Sequence, residues 1–457
     1  MTLKKKKTIL TSNPLITGTL MLTCAGFITR IIGFFNRIYL AQLIGAREIG
    51  IYQLIFPVYM IAFSFCCHGI ELAVSQMTAS FSGKQIKDCQ TPDNSSFQYR
   101  KLVSTACTFS LIASLLFAAV IYLYADNISI YLLKEESCAI CLRLMAPVLP
   151  FTAVRCCIHG YYIGKSKTFV PSAGQLVEQL VRIFFIWLVA ASYKDVRNFT
   201  ASLAVCGMVI GEIAGTIYTY ISYKISCHNA KEKKHSQTSN SFLPFGRELL
   251  KRAFPLTVSK LSVTLVAALE TVLIPIMLTR YYNDQNLALS LYGVLTGMAL
   301  PFVMFPSTLT NSLSLMLLPA ISQAHSAKNK TKIRLIIEKT VKLCLFIGFT
   351  AFLVFFFFGK KLGLIIYHNQ SAGDFLFILS FLCPFLYLSA SGSSILNGAG
   401  LMKHSLFYNL SGLLTRIIFI LFAIPCMGIQ GYLFGLLASY LLSVLLQMLK
   451  IYKSLLK

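Results

Sequence analysis

Apolar residues in this chain come in long runs, separated by short stretches rich in Lys, Arg, Ser, Asn and Gly. A helix of about 20 apolar residues crosses the hydrocarbon of a bilayer, and twelve runs reach that length. They fall near residues 15–40, 49–81, 101–125, 138–163, 168–191, 199–226, 248–280, 286–320, 333–359, 373–400, 404–424 and 428–450. The pattern predicts an all-α integral membrane protein of about twelve transmembrane helices.

Charge between the runs alternates. Lys4–Lys7, Lys84, Lys87, Arg100, Lys101, the 224–252 stretch, Lys330–Arg334, Lys450 and Lys453 fall on the amino-terminal side. The opposite segments hold only Arg47, Lys134, Lys194, Arg197, Arg280, Lys360 and Lys361. Loops that stay in the cytoplasm retain Lys and Arg, so the bias predicts both termini on the cytoplasmic face of a bacterial cell membrane. One helix more or fewer would scramble it. Lys4–Lys7 before an apolar run looks like a signal peptide, but the run passes 20 residues without an A-x-A site, which predicts an uncleaved first span.

Composition agrees and narrows the classes. Of 457 residues 56% are hydrophobic and 12% charged, with mean hydropathy +0.70; a soluble chain of this size would present far more polar surface. The net charge of +25 is spread over loops rather than gathered on one face, so it does not predict a nucleic-acid partner. Most of the fourteen cysteines sit inside apolar runs, where cysteine acts as a small hydrophobe. The lone CxxC, Cys138 to Cys141, lacks the second pair a metal site needs. There is no GxxxxGK[ST] phosphate loop. The segments expected outside are too short to hold the acids of a glycan-building membrane enzyme, and His68 and His159 stand alone.

The longest soluble stretch, "CHNAKEKKHSQTSNSFLPFGR" (227–247), lies at mid-chain and reads as a flexible linker. Two alignments across it suggest a duplication. "IGKSKTFVPSAGQLVEQLVRIFFI" (163–186) lies against "NGAGLMKHSLFYNLSGLLTRIIFI" (397–420), pairing Arg182 with Arg416, and "GIYQLIFPVYM" (50–60) lies against "SLYGVLTGMAL" (290–300). The expected organisation is a six-helix lobe at 1–227, a cytoplasmic linker at 228–247 and a pseudo-symmetric six-helix lobe at 248–457. Such twin lobes suit alternating access around a midplane site. Prolines at 57, 147, 150, 275, 301, 306 and 384 predict bends, and the eighth helix, with Pro301 and Pro306, is the expected flexing element.

Charges within the spans are costly and mark function by default. Arg30, Gly33 and Arg37 share one helix face, and Arg30 lies about 22 Å from the helix start, too deep to reach water by snorkelling. Glu71, Arg155, Glu212, Lys260 and Glu270 also lie at depth. Glu178 and Arg182, spaced i, i+4, predict an intrahelical ion pair. Arg416 has no such neighbour, because Gly412 stands where Glu178 does, so it is expected to be unpaired and to bind substrate. Guanidinium binds phosphate through paired hydrogen bonds and stays charged.

At these residues the chain resembles a known family. "GFITRIIGFFNRIYLAQLIGAREIGIYQLIFPVY", "VPSAGQLVEQLVRI" and "SSILNGAGLMKHSLFYNLSGLLTRI" are similar to the polysaccharide-transporter branch of the multidrug/oligosaccharidyl-lipid/polysaccharide exporter superfamily. Within it the likeness is to the stage V sporulation protein B group, and more distantly to lipid II flippases. The resemblance implies the twin-lobe fold of that superfamily around a basic cavity. It also implies movement of undecaprenyl-diphosphate-linked oligosaccharide or peptidoglycan precursor across the cytoplasmic membrane, without nucleotide hydrolysis. Arg30 matches the family's first cavity arginine. The second falls at Asn36, with Arg37 one step on, and a further basic position on the eighth helix falls near Pro301. Some relatives hold sodium through an acid on the seventh helix, and Glu270 matches it. Two further helices found in many relatives have no counterpart here.

The reading is therefore a transporter rather than an enzyme, with Arg30, Asn36, Arg37, Arg155, Glu178, Arg182, Asn397 and Arg416 as candidate substrate contacts. No cofactor is expected. Coupling to Na+, H+ or the membrane potential is open, with Glu270 the candidate ion ligand. Expected partners are the lipid bilayer and the lipid-linked glycan, with no nucleic acid, for a monomer alongside cell-wall synthesis enzymes. The rival in the same fold is a drug or cation antiporter, which would want acids in its cavity.

Overall fold

The computed structural model describes residues 14–88, 92–165, 167–192, 200–228, 242–327 and 329–456. Lys4–Lys7, Lys194, Arg197 and most of the 228–247 linker lie outside the described residues. The described residues form helices and turns, with no strand among them.

The helix Pro14–Phe63 is broken by Gly45, whose φ of 79° and ψ of 173° suit a residue without Cβ. Gly45 thus separates α1 (14–44) from α2 (46–88), which runs on through a π turn at Ser64–His68 and the helix Gly69–Asp88. α3 is Pro92–Leu123. α4 is the pair Cys138–Met145 and Val148–Gly164, bent by 44°. α5 is Phe169–Ser192, α6 Ala201–His228 and α7 Phe242–Tyr282. α8 spans Gln285–Gly293, a π turn at Val294–Ala299, Leu300–Met304 and Ser307–Ser326. α9 is Lys330–Tyr367; α10 is Gln370–Ser380 with Cys383–Gly398, bent by 58°. α11 is Met402–Phe422 and α12 Ile429–Ile451.

Nine described helices are long and apolar enough to cross a membrane, and eleven when each bent pair counts as one span. The first of these, Gly26–Phe81, has 56 residues. At 1.5 Å per residue it is about 84 Å long, which is two crossings of a hydrocarbon layer about 30 Å thick. Divided at Gly45, it brings the spans to the twelve expected.

Local chemistry accounts for the boundaries. Asp284, Asn329 and Asn369 accept hydrogen bonds from the first free N–H groups of α8, α9 and α10, satisfying donors that a helix start leaves unpaired. The bends of α4 and α10 fall at Pro147 and just before Pro384, where the ring removes a donor and crowds the preceding turn. α8 is not the continuous 286–320 helix the apolar run predicts: it breaks at Phe305–Pro306, where the paired prolines placed a flexing element.

The chain divides into two compact units, one made of residues up to Gly33 with Ile55–Leu265, the other of Phe34–Leu54 with Val266–Lys457. The linker-based boundary read from the sequence differs from this division, because α1, α2 and α7 each change unit partway. A helix of 41 residues, as α7 is, can pack its two ends on different neighbours. In the first unit, Ile70, Val74 and Met77 of α2, Leu102 of α3, Ile158 of α4 and Leu249 of α7 form one core. In the second, Ile321 of α8, Ile333 of α9, Ile395 and Leu396 of α10 and Ile451 of α12 do the same. Large apolar side chains also remain exposed, among them Phe346, Phe349 and Phe357 of α9, the surface a spanning helix presents to acyl chains.

Candidate functional site

In the first unit four charged side chains from three helices meet. The expected Glu178–Arg182 pair is present: Arg182 donates from Nη2 to Glu178 Oε1 at 2.5 Å. Arg155 on α4 donates from Nη1 to Glu178 Oε2 at 2.6 Å and from Nη2 to Glu212 Oε1 at 2.9 Å. Both carboxylates are therefore bound to guanidinium, and the Arg155 and Glu212 side chains are only 11% and 10% exposed. Glycine spacing explains how α5 and α6 come close enough. Gly207, Gly211 and Gly215 recur every four residues on one face of α6. A Cβ on Gly211 would stand 2.7 Å from the Glu178 carbonyl oxygen, and one on Gly215 3.0 Å from Arg155 Nη1. Small residues at that spacing let helix backbones approach.

The second unit holds a matching arrangement that corrects one expectation. Arg416 is not unpaired: its Nη1 donates to Glu270 Oε1 at 2.9 Å. Tyr432 of α12 donates its hydroxyl to the same oxygen at 2.8 Å, and the Arg416 guanidinium lies 5.7 Å from the centre of the Tyr440 ring. The acid sits on α7 and the arginine on α11, so helix spacing alone could not join them. Glu270, the candidate for a coupling ion, thus already carries the chain's own cation. A metal ion there would have to displace a guanidinium and a phenol, so the residues as they stand do not fit one. Among the described residues no group of three or more His, Cys, Asp or Glu side chains is placed to hold a metal.

Arg30 and Arg37 differ from these. Both are exposed, and neither has a hydrogen-bond or ion-pair partner among the described residues. The exposed apolar stripe of α1 is formed by Ile28 and Phe35, which are 47% and 63% exposed. At 3.6 residues per turn Arg30 and Arg37 lie about 140–180° round the helix from that stripe. They are open, yet not on the face that suits acyl chains. α1 is positioned in the first unit by Gly33, where a Cβ would stand 2.6 Å from Gln179 Nε2 of α5. Further along, in the second unit, Phe34 stacks on Phe305 with ring centres 4.7 Å apart.

The other two candidates fall apart from these groups. Asn36 is buried, and its side-chain oxygen has no hydrogen-bond partner. Asn397 sits in the last turn of α10, where its backbone carbonyl accepts from Gly400 N. Arg416 is about 21 Å further along α11 from its start at Met402, so the structure does not bring Asn397 to the Arg416 pair. Sequence reasoning missed Glu212 as a partner of Arg155, and missed Tyr432 and Tyr440. The glycine stripe that carries Glu212 was the available signal for the first; nothing local marked the tyrosines.

Multi-pass helical architecture, with ion pairs inside each unit, defines an all-α integral membrane protein. The chain belongs to the family described as polysaccharide biosynthesis protein, which it matches over residues 15–325; residues 261–422 also match the MatE family. It is 27% identical to stage V sporulation protein B of Bacillus subtilis (strain 168), over 94% of this chain and 82% of that one. To the lipid II flippase MurJ of the same strain it is 21% identical, over 95% and 82% of the two chains. Among solved structures it superposes on a lipid II flippase MurJ in an inward closed conformation with a TM-score of 0.69, at 15% identity, covering 94% of this chain and 87% of the other. An inward-facing multidrug MATE transporter gives 0.65, at 14% identity, covering 93% and 95%. The protein is a multi-pass transporter or flippase of the MOP superfamily, in its polysaccharide-transporter branch, resident in the bacterial cytoplasmic membrane.

Proposed function

We propose that the chain is a flippase that carries an undecaprenyl-diphosphate-linked oligosaccharide or peptidoglycan precursor from the inner to the outer leaflet by alternating access. The observation that carries this reading is Arg30, a guanidinium near the middle of a spanning helix, open and without an acid beside it among the described residues, on the face away from the apolar stripe. A cation so placed costs several kcal/mol unless water or an anion meets it, and a diphosphate headgroup supplies that anion. Arg37, about 10 Å further along α1, offers a second contact on the same face. Arg155, Glu178, Arg182 and Arg416, first counted as substrate contacts, serve in this reading as the internal bracing of the two units.

The antiporter reading is less favoured on a specific ground. A cationic drug needs acids that are free to bind it, whereas Glu178, Glu212 and Glu270 are each bound to an arginine, and of the four acids at depth only Glu71 is without one among the described ion pairs. The proposal places both termini in the cytoplasm and names no cofactor. The test is depletion in a host that depends on the chain, followed by analysis of lipid-linked intermediates. Accumulation of an undecaprenyl-diphosphate glycan on the cytoplasmic leaflet is the expected result. Restoration by Arg30→Ala, at normal membrane levels, would remove the argument.

A further inference from the structure

A further open cation lies in the first unit, on the inner half of α7. The stretch "TVSKLSVT" (257–264) places polar residues at five of eight positions in the middle of a spanning helix. Thr257, Lys260 and Thr264 stand at i, i+3 and i+7, one helix face, and that face meets the π turn of α2. The Thr264 and Ser64 hydroxyls hydrogen-bond at 3.0 Å. A Cβ on Gly69 would stand 1.9 Å from Thr257 Oγ1. His68 lies within electrostatic reach of Lys260. The seam between α2 and α7 is thus polar towards the cytoplasmic ends of both spans.

Lys260 itself is exposed, and its ammonium has no hydrogen-bond or ion-pair partner among the described residues. The exposed apolar stripe of this part of α7 is Phe254, Val258 and Leu265, and Lys260 lies about 120–160° round the helix from it. The ammonium lies beyond the open, charged first turns of α7. The last ion-paired turn of α7 towards its start is Glu248–Arg252, with both side chains open, and Lys260 is about 12 Å beyond Arg252. Measured from the outer ends of their own helices, Gly45 and Tyr282, Arg30 lies about 22 Å deep and Lys260 about 33 Å, which puts Lys260 at the cytoplasmic edge of a hydrocarbon layer about 30 Å thick.

We propose that Lys260, on the polar α2–α7 seam, is a binding residue for the diphosphate of the substrate, placed on the cytoplasmic side of Arg30. The inference rests on the flippase reading and adds to it a first station for the anion. An ammonium is a compact point charge suited to capturing phosphate without fixing its orientation, whereas guanidinium holds it in a fork. Entry at Lys260 and transfer to Arg30 is then the order in which the headgroup meets the two cations.

The test uses the full chain in lipid nanodiscs with three probes: undecaprenyl diphosphate, undecaprenyl monophosphate and uncharged undecaprenol. Lys260→Ala is expected to weaken diphosphate binding about tenfold, to weaken monophosphate binding less, and to leave undecaprenol unchanged. Lys260→Arg keeps most of the affinity, and thermal melting of Lys260→Met shows that the fold is intact. Diphosphate affinity in Lys260→Ala equal to the unsubstituted protein would overturn the inference, as would an equal loss for undecaprenol. If Arg30→Ala loses diphosphate binding while Lys260→Ala keeps it, the flippase reading stands and this inference fails. If the unsubstituted protein binds none of the charged probes, both fall.

Discussion

Arginine occupies two kinds of place in this protein, and neighbouring acids distinguish them. Arg155, Arg182 and Arg416 are bound to carboxylates inside a unit, while Arg30 and Arg37 are open. Removing one partner of a buried pair strands the other and costs about 3–5 kcal/mol. Arg155→Ala, which leaves Glu212 without its guanidinium, is therefore expected to lower the melting temperature of the purified protein and its level in the membrane. Arg30→Ala should leave both unchanged and remove transport. Size-exclusion melts alongside complementation separate the two outcomes, and equal melts for both variants would contradict the division. At Glu270 the bound cation is part of the chain, so glycolipid movement in proteoliposomes is expected at the same rate in Na+ as in K+. A Na+ requirement abolished in Glu270→Gln would return that carboxylate to the role of ion ligand. Legibility at this scale follows distance along the chain. Glu178 and Arg182 share a helix, so spacing revealed their pair; Glu270 and Arg416 are 146 residues apart, and no local pattern could join them.

Among the elements, the bends at Pro147 and Pro384 and the break at Pro306 were legible, because proline acts on its own turn of backbone; Pro57 and Pro275, which also predicted bends, lie inside helices that run on past them, and Gly45 was marked only by the gap between two apolar runs. The π turns at Ser64–His68 and Val294–Ala299 were not, since no side chain in them forbids an ordinary helix. Packing between helices was half legible. The Gly207, Gly211, Gly215 stripe is visible in the sequence, but that it faces Glu178 and Arg182 rather than lipid depends on α5 folding against α6. This gives an element-scale expectation. In Gly211→Ala the new methyl would stand 2.7 Å from the Glu178 carbonyl oxygen and 3.1 Å from Arg182 Cβ, so α5 and α6 must separate. Interior overpacking typically costs about 1–3 kcal/mol. A loss of stability in the same direction as that of Arg155→Ala, and smaller, is expected, because the same ion-paired cluster is pushed apart without losing a charge, and thermal melting of the two variants side by side measures it. An unchanged melt for Gly211→Ala would mean that the stripe does not hold the cluster together.

For the whole molecule, twelve apolar runs carried the span number and the alternation of basic loops predicts an orientation, because insertion energetics act on each segment separately. What lay beyond them was the division of α1, α2 and α7 between the two units, which depends on contacts between distant parts of the chain. The orientation yields a prediction that native side chains can check. Cys426 is exposed, on the short helix Ile424–Met427 between α11 and α12. With both termini inside, that connection faces outward, whereas Cys89 and Cys227 fall in connections expected inside. A membrane-impermeant maleimide applied to intact spheroplasts should label the chain once, and Cys426→Ser should remove the label. After permeabilisation the other connections become reachable and the Cys426→Ser variant should label. The opposite orientation would give the reverse order, with label persisting in intact cells after Cys426→Ser. That outcome would also reverse the entry side assigned to Lys260, because the same helices would then present it towards the outer leaflet before Arg30.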